Sequence, residues 1–167
     1  VRPEPVQQPA TKEIAQLLTP RDFARQRALV IGGSRGLGEL TAKLLAVGGA
    51  DVVMTYRSGA EDAARVVADI KSEGGACKAL AFDVTHSKTL PEVLNGWQPN
   101  SLFFYATPRI SRQNSKIFNI EVHAEFHSVY SIAFAHIVLQ LLANSREELW
   151  ALYPSTIYVD SPPPGFA

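Results

Sequence analysis

The chain has 167 residues, 46% hydrophobic and 19% charged, with 16 basic side chains balanced by 16 acidic ones. That length supports one domain with a real core. Zero net charge gives no support for a nucleic-acid or other polyanion surface, and the single cysteine, Cys77, excludes an intramolecular disulfide. No signal peptide is evident and no apolar run approaches the ~20 residues of a bilayer span, so a cytoplasmic protein without membrane attachment is expected.

Pro3, Pro5, Pro9 and Pro20 interrupt the first twenty residues. Residues 1–26 therefore read as an arm or linker, with a short helix over Thr11–Leu18 and Thr11 as its N-cap. From Arg27 onward, strands are predicted at 28–32, 51–56, 77–83, 102–106 and 149–153. Helices are predicted at 37–47, 60–73, 87–95 and 117–143. Leu40, Leu44, Leu45 and Val47 form the apolar set of the first of these. Gly48-Gly49 and Gly74-Gly75 fall just past helix ends, where C-terminal caps belong. Strands separated by helices imply parallel pairing with right-handed crossovers. The predicted fold is α/β, a doubly wound, three-layer parallel sheet in the order 3-2-1-4-5, occupying residues 27–167. Cys77, in its strand, reads as a buried structural thiol. His123 and His127 stand four apart on a helix but lack a third ligand, so no metal site is assigned. The chain ends in the loop Asp160-Ser-Pro-Pro-Pro-Gly-Phe-Ala167. A sheet edge left there would expose apolar side chains. The domain is therefore expected to be incomplete at its C-terminus, with fusion to further domains an open alternative.

Residues 27–57 carry the most information. The apolar run Ala28-Leu-Val-Ile31 leads directly into Gly32-Gly-Ser-Arg-Gly36-Leu-Gly38, and a helix and second strand follow. Gly32 lets the chain turn sharply off the strand. Gly36 lets backbone amides approach a pyrophosphate, and Gly38 lets the helix pack against the strand. The helix N-terminus presents unpaired N–H groups and a partial positive charge to phosphates. A tight turn alone would also use glycines, but the flanking strand and helix patterns favour a dinucleotide-binding, Rossmann-type unit.

The spacing Gly32-x-x-x-Gly36-x-Gly38 within Val-Ile-Gly-Gly-Ser-Arg-Gly-Leu-Gly resembles the short-chain dehydrogenase/reductase family. The resemblance runs from Arg27 to the C-terminus and is strongest over 27–84. It implies that Gly32, Ser34, Arg35, Gly36, Leu37 and Gly38 surround the cofactor phosphates, with Ser34 and Arg35 placed to take a 2′-phosphate. The second strand ends in Thr55-Tyr56-Arg57, with no Asp or Glu from Val52 to Ala60. NAD-specific folds place an acid there for the ribose 2′-OH. Two arginines instead favour NADP(H), with NAD(H) the weaker alternative; Arg57 could also be a solvated loop charge. Asp83-Val84 matches the family's adenine-binding pair, and an N-cap or turn aspartate is the competing reading.

Tyr105-Ala106-Thr107 falls where the family has Asn-Ala-Gly, bordering the cofactor, with only Ala106 retained. The helix over 117–143 corresponds to one that carries a catalytic Asn in relatives, yet no Asn lies between Ile120 and Leu139. Its apolar face reads as core or as a homo-oligomer interface. Ser155 and Thr156 end the fifth strand and are the candidates for the family's catalytic hydroxyl, or else satisfy local backbone. The family's catalytic Tyr stands four residues before a Lys. Residues four beyond Tyr56, Tyr105, Tyr130, Tyr153 and Tyr158 are Ala60, Arg109, Phe134, Ile157 and Pro162. The Tyr and Lys are therefore expected outside this chain. The resemblance implies an oxidoreductase that moves hydride between NADP(H) and a small carbonyl or alcohol substrate, with the 167-residue chain inactive alone. A non-catalytic dinucleotide-binding module or structural domain of a larger protein is the alternative.

Overall fold

A computed structural model describes residues 6–155 apart from 20, 88, 95, 109–118 and 146. Five strands, β1 (Arg27–Ile31), β2 (Asp51–Tyr56), β3 (Ala76–Ala81), β4 (Ser101–Phe104) and β5 (Trp150–Leu152), form one sheet in the order β3-β2-β1-β4-β5. Every pairing is parallel, and Val30 of β1 lies opposite both Met54 and Phe103. This is the predicted topology. The central strand is dry from Ala28 to Ile31 because both sheet faces are covered.

Alternation along the strands divides the core in two. Ala28, Val30, Val52 and Met54 face α2 (Gly36–Val47) and α3 (Ala60–Ser72). Leu29, Ile31, Val53, Leu102 and Phe104 face a long helix through Val129, Ala133, Ile137 and Leu141. Full burial of each such Leu, Ile or Val stabilises the fold by about 1.5–3 kcal/mol. Cys77 is buried in β3, and burial pushes its thiol up to about 12, so it is inert packing.

The long helix runs from Ile120 to Asn144 as α4 (Ile120–His127), a π-helical segment (Ser128–Ala133) and α5 (Phe134–Asn144). Asn119 caps it, its side-chain oxygen accepting from the Glu121 and Val122 amides at 2.9 and 3.1 Å. At 25 residues this helix is long and apolar enough to cross a membrane by length and composition. That corrects the expectation that no run approaches span length. Its stripe from Val129 to Leu141 nevertheless packs on the sheet.

Three further expectations are corrected. Among the described residues of the helix predicted over 87–95, only Glu92–Leu94 is helical, as a 3₁₀ turn. Pro91 has no amide to donate, and the Leu90 amide donates to the Gln140 side chain of α5 at 2.9 Å. Thr11 does not cap the first helix. The cap is Ala10, and Thr11 opens α1 (Thr11–Ala15) with its amide and hydroxyl donating to Asp69 of α3 at 3.2 and 2.8 Å. In α2, only Leu45 of the predicted apolar set is buried. The inward face also carries Glu39 and Lys43, joined by Ala42 and Ala46.

Those two charges form a buried network. Lys43 Nζ lies 2.9 Å from Glu39 Oε1, 2.9 Å from Asp69 Oδ2 and 2.9 Å from the Pro9 carbonyl. All three ammonium protons therefore have acceptors. Arg65 holds both Glu39 oxygens at 3.0 Å. Burial raises the Glu39 pKa, but hydrogen bonds and charge from Arg65 and Lys43 outweigh it and hold the carboxyl below its ordinary range. The network fastens the segment around Pro9 and Thr11 to α2 and α3.

Candidate dinucleotide cleft

A cleft of about 550 Å³ opens at the carboxyl ends of β1 to β4, lined by Gly32, Ser34, Arg35, residues 55–59, 82–85 and 105–108, and Val129. Ligands of open parallel sheets bind in this crevice. A second cavity of about 310 Å³, lined partly by Thr89, Gln98, Gln140 and Asn144, holds none of the candidate residues.

The turn after β1 is shaped for close approach. Gly32 has φ +84° and Gly36 φ +58°. A Cβ on Gly38 would stand 2.2 Å from the Gly32 carbonyl oxygen, so the start of α2 lies directly against the turn. The Gly32 amide donates to the Thr55 hydroxyl at 3.2 Å and the Gly33 amide to the Thr55 carbonyl at 2.9 Å. Nothing lies within 4 Å of where a Cβ on Gly36 would sit. That open space at the N-terminus of a 12-residue helix fits a pyrophosphate, since the orphan amides and helix dipole both favour an anion.

Two cations border the cleft unequally. Arg57 is exposed and has no ion-pair partner among the described residues. Arg35 lies 3.1 Å from Asp62 in the first turn of α3. The acid-free stretch Val52–Ala60 stops two residues short of this carboxylate, so the charge at Arg35 is already partly balanced.

Asp83 closes a turn. It accepts from the Thr85 amide (2.9 Å) and hydroxyl (2.6 Å) and lies 3.1 Å from His86 Nδ1. Burial raises its pKa, but these partners outweigh that and hold it below the ordinary range. Val84 lines the cleft beside it. At the β4 exit, the Tyr105 hydroxyl accepts from Thr41 of α2 at 2.9 Å, which ties its ring to that helix. The Thr107 hydroxyl donates to the Pro108 carbonyl at 3.1 Å and is hydrogen-bonded to Tyr130.

The cleft thus gathers Gly32, Ser34, Arg35, Arg57, Asp83, Val84, Tyr105, Ala106 and Thr107 on one wall system. Gly36 and Gly38 start the helix behind it. Leu37 is 64% exposed and lies outside the lining. Ser155 is exposed beyond β5, also outside the lining, and Thr156 falls outside the described residues. The sequence reading missed Thr55, Asp62 and Tyr130. Only Thr55 left a signal, a hydroxyl at the end of the strand beside the glycine turn. His123 and His127 stack at 6.3 Å between ring centroids. Among the described residues no group of three or more His, Cys, Asp or Glu is placed to hold a metal.

Sheet order, glycine turn and cleft together define a doubly wound dinucleotide-binding fold. The model of the short chain dehydrogenase family matches residues 26–100. A hydroxynaphthalene reductase-like protein, Arp2, of Metarhizium guizhouense is 41% identical over 75 residues, covering 45% of this chain and 27% of that protein. A 3-oxoacyl-[acyl-carrier-protein] reductase of Synechocystis is 38% identical over 69 residues, covering 41% of this chain and 28% of the reductase. Among solved structures, a short chain dehydrogenase of Burkholderia cenocepacia in complex with NADP superposes with a TM-score of 0.73 at 25% identity. It covers 87% of this chain and 61% of that one. Residues 26–100 match the short chain dehydrogenase model, and over that stretch the chain is similar to these reductases. The match spans about a quarter of the length of the curated relatives.

Proposed function

We propose that this chain is the NADP(H)-binding part of an oxidoreductase that moves hydride between the nicotinamide and a carbonyl or alcohol carbon. The carrying observation is the cleft at the strand ends, where Gly32, Ser34 and Arg35 of the glycine turn and the exposed Arg57 face one space, and α2 begins directly after Arg35. When bound, the nicotinamide supplies the hydride chemistry. The chain's own residues do the rest. Amides at Gly36 and beyond cradle the pyrophosphate. Arg57 and Ser34 take the 2′-phosphate, with Arg35 joining by exchanging Asp62 for it. Phe82, Asp83 and Val84 border the adenine. A hydroxyl at Ser155 or Thr156 orients the substrate oxygen. None of the five tyrosines has a lysine four residues on, so the proton relay is assigned to residues outside these 167. The altered Tyr105-Ala106-Thr107 favours a second reading, a dinucleotide-binding module without catalysis. Cytoplasmic location and self-association through the long helix belong to the same proposal.

Calorimetric titration of the 167-residue chain tests it. NADPH is expected to bind more tightly than NADH. Arg57→Ala should weaken NADPH about ten- to hundredfold, the range for a charge-assisted hydrogen bond, and leave NADH unaffected. Equal affinities in the wild-type chain would sink the 2′-phosphate assignment.

A further inference from the structure

We infer that Tyr130 is a positioning residue for the end of the cleft opposite Arg57, presetting the wall met by the nicotinamide half of NADP(H). The inference rests on the cofactor reading above. A dinucleotide with its pyrophosphate at the glycine turn and its adenosine ribose at the end of β2 must extend its other half past β1 toward β4. Sheet order leaves no other direction within the cleft. The last wall on that side is Ala106, Thr107 and Pro108.

Residues 105–108 form no regular secondary structure, so something else must fix Thr107. The Thr107 hydroxyl spends its one proton on the Pro108 carbonyl at 3.1 Å. Its oxygen is then the acceptor for the Tyr130 hydroxyl, the short contact between the two. The chain Tyr130 O–H to Thr107 O–H to Pro108 C=O is closed, and each proton has one place to go. Tyr130 is itself held from several sides. Val129, its neighbour, is buried on the sheet and lines the cleft floor. The Tyr130 ring packs edge-on against Phe126 at 5.6 Å and Tyr153 at 6.4 Å. Tyr153 lies just past β5 and packs on Phe134 and Phe104. One ring therefore ties the exits of β4 and β5 together, two residues before Ser155. Tyr130 belongs to the π-helical segment Ser128–Ala133. A π-turn inserts an extra residue per turn and re-aims the side chains it carries, which is why such turns gather at functional sites.

The test compares two ligands on the 167-residue chain by calorimetry: NADPH, which reaches both ends of the cleft, and adenosine 2′,5′-bisphosphate, which lacks the nicotinamide half. Tyr130→Phe removes only the hydroxyl. It should weaken NADPH about three- to tenfold, the scale of one lost hydrogen bond, and leave adenosine 2′,5′-bisphosphate within error of wild type. Thr107→Val should repeat that split, and Thr107→Ser, which keeps the hydroxyl, should restore NADPH affinity. A general structural role would lower both ligands together. Such parallel loss, or no loss in either ligand, overturns the inference. A wild-type chain that binds the bisphosphate but gains nothing from the nicotinamide half overturns the role of Tyr130 alone. A wild-type chain that binds neither overturns the cofactor reading and this inference with it.

Discussion

Lys43→Met is the sharpest test of the buried network. Lys43 is 1% exposed, and its three ammonium protons meet Glu39, Asp69 and the Pro9 carbonyl, each at 2.9 Å. Methionine fills similar volume and supplies no donor. Removing one partner of a buried pair costs about 3–5 kcal/mol when the other charge is stranded. Stranding is incomplete here. Glu39 keeps its bidentate Arg65, and Asp69 keeps the Thr11 hydroxyl and amide. The expected loss is therefore at the lower end, about 3 kcal/mol, read from urea unfolding at pH 7. Glu39→Leu/Lys43→Met removes both buried charges, and Arg65, half exposed, swings into water. That double variant should recover much of the loss, because buried pairs exchange for apolar groups at little cost. The pH dependence has a definite sign. Glu39 and Asp69 both have depressed pKa values in the folded state, because hydrogen bonds and charge outweigh the opposing burial. Their contribution is present above the unfolded carboxylate range and drains away as pH falls through the folded values. Lys43→Met should raise both pKa values toward ordinary and flatten this acid limb. A loss below about 1 kcal/mol with an unchanged acid limb would refute the network as a source of stability.

Two other perturbations separate scaffold from cradle. Gly38→Ala drives a methyl to 2.2 Å from the Gly32 backbone oxygen, so unfolding should show a loss of about 1–3 kcal/mol from overpacking. Gly36→Ala meets no atom within 4 Å. Left-handed strain of about 1–2 kcal/mol should leave it folded, while its methyl fills the phosphate space and abolishes NADPH binding in the same titration. Asp62→Asn releases Arg35 from its carboxylate and should tighten NADPH severalfold relative to NADH. An unchanged ratio would show that Arg35 does not reach the 2′-phosphate.

What the sequence disclosed follows from which forces act locally. Ala28–Ile31 and Val52–Met54 read as buried strands because parallel strands are apolar on both faces, and both runs are dry. The glycine turn was equally legible, since its backbone shape and its close approach to α2 are written in residue type. Partners distant in sequence were not. Thr11 is a good N-cap by itself, but Asp69, 58 residues away, takes its hydroxyl. Lys43 and Glu39 look like a solvated helix face until α3 and Pro9 close over them. Asp62 lies past the strand end in sequence, and only the packing of α3 brings its first turn back to Arg35. The contact of Tyr130 with Thr107 spans 23 residues and a π-turn that no spacing announces.

The central place of β1 has a consequence for synthesis. It pairs with β2 on one side and, on the other, with β4, whose first residue lies 70 positions beyond the last of β1. The unit β1 to β3 can assemble as soon as Ala81 clears the ribosome. Its face bearing Leu29, Ile31 and Val53 is then bare. That face is covered only when β4 and the stripe ending at Leu141 arrive, 60 residues later. At ordinary elongation rates this takes roughly 3–12 s. The nascent half-sheet therefore presents a sticky surface long enough for a chaperone to engage, and slower codons between Ala81 and Leu141 would lengthen that window.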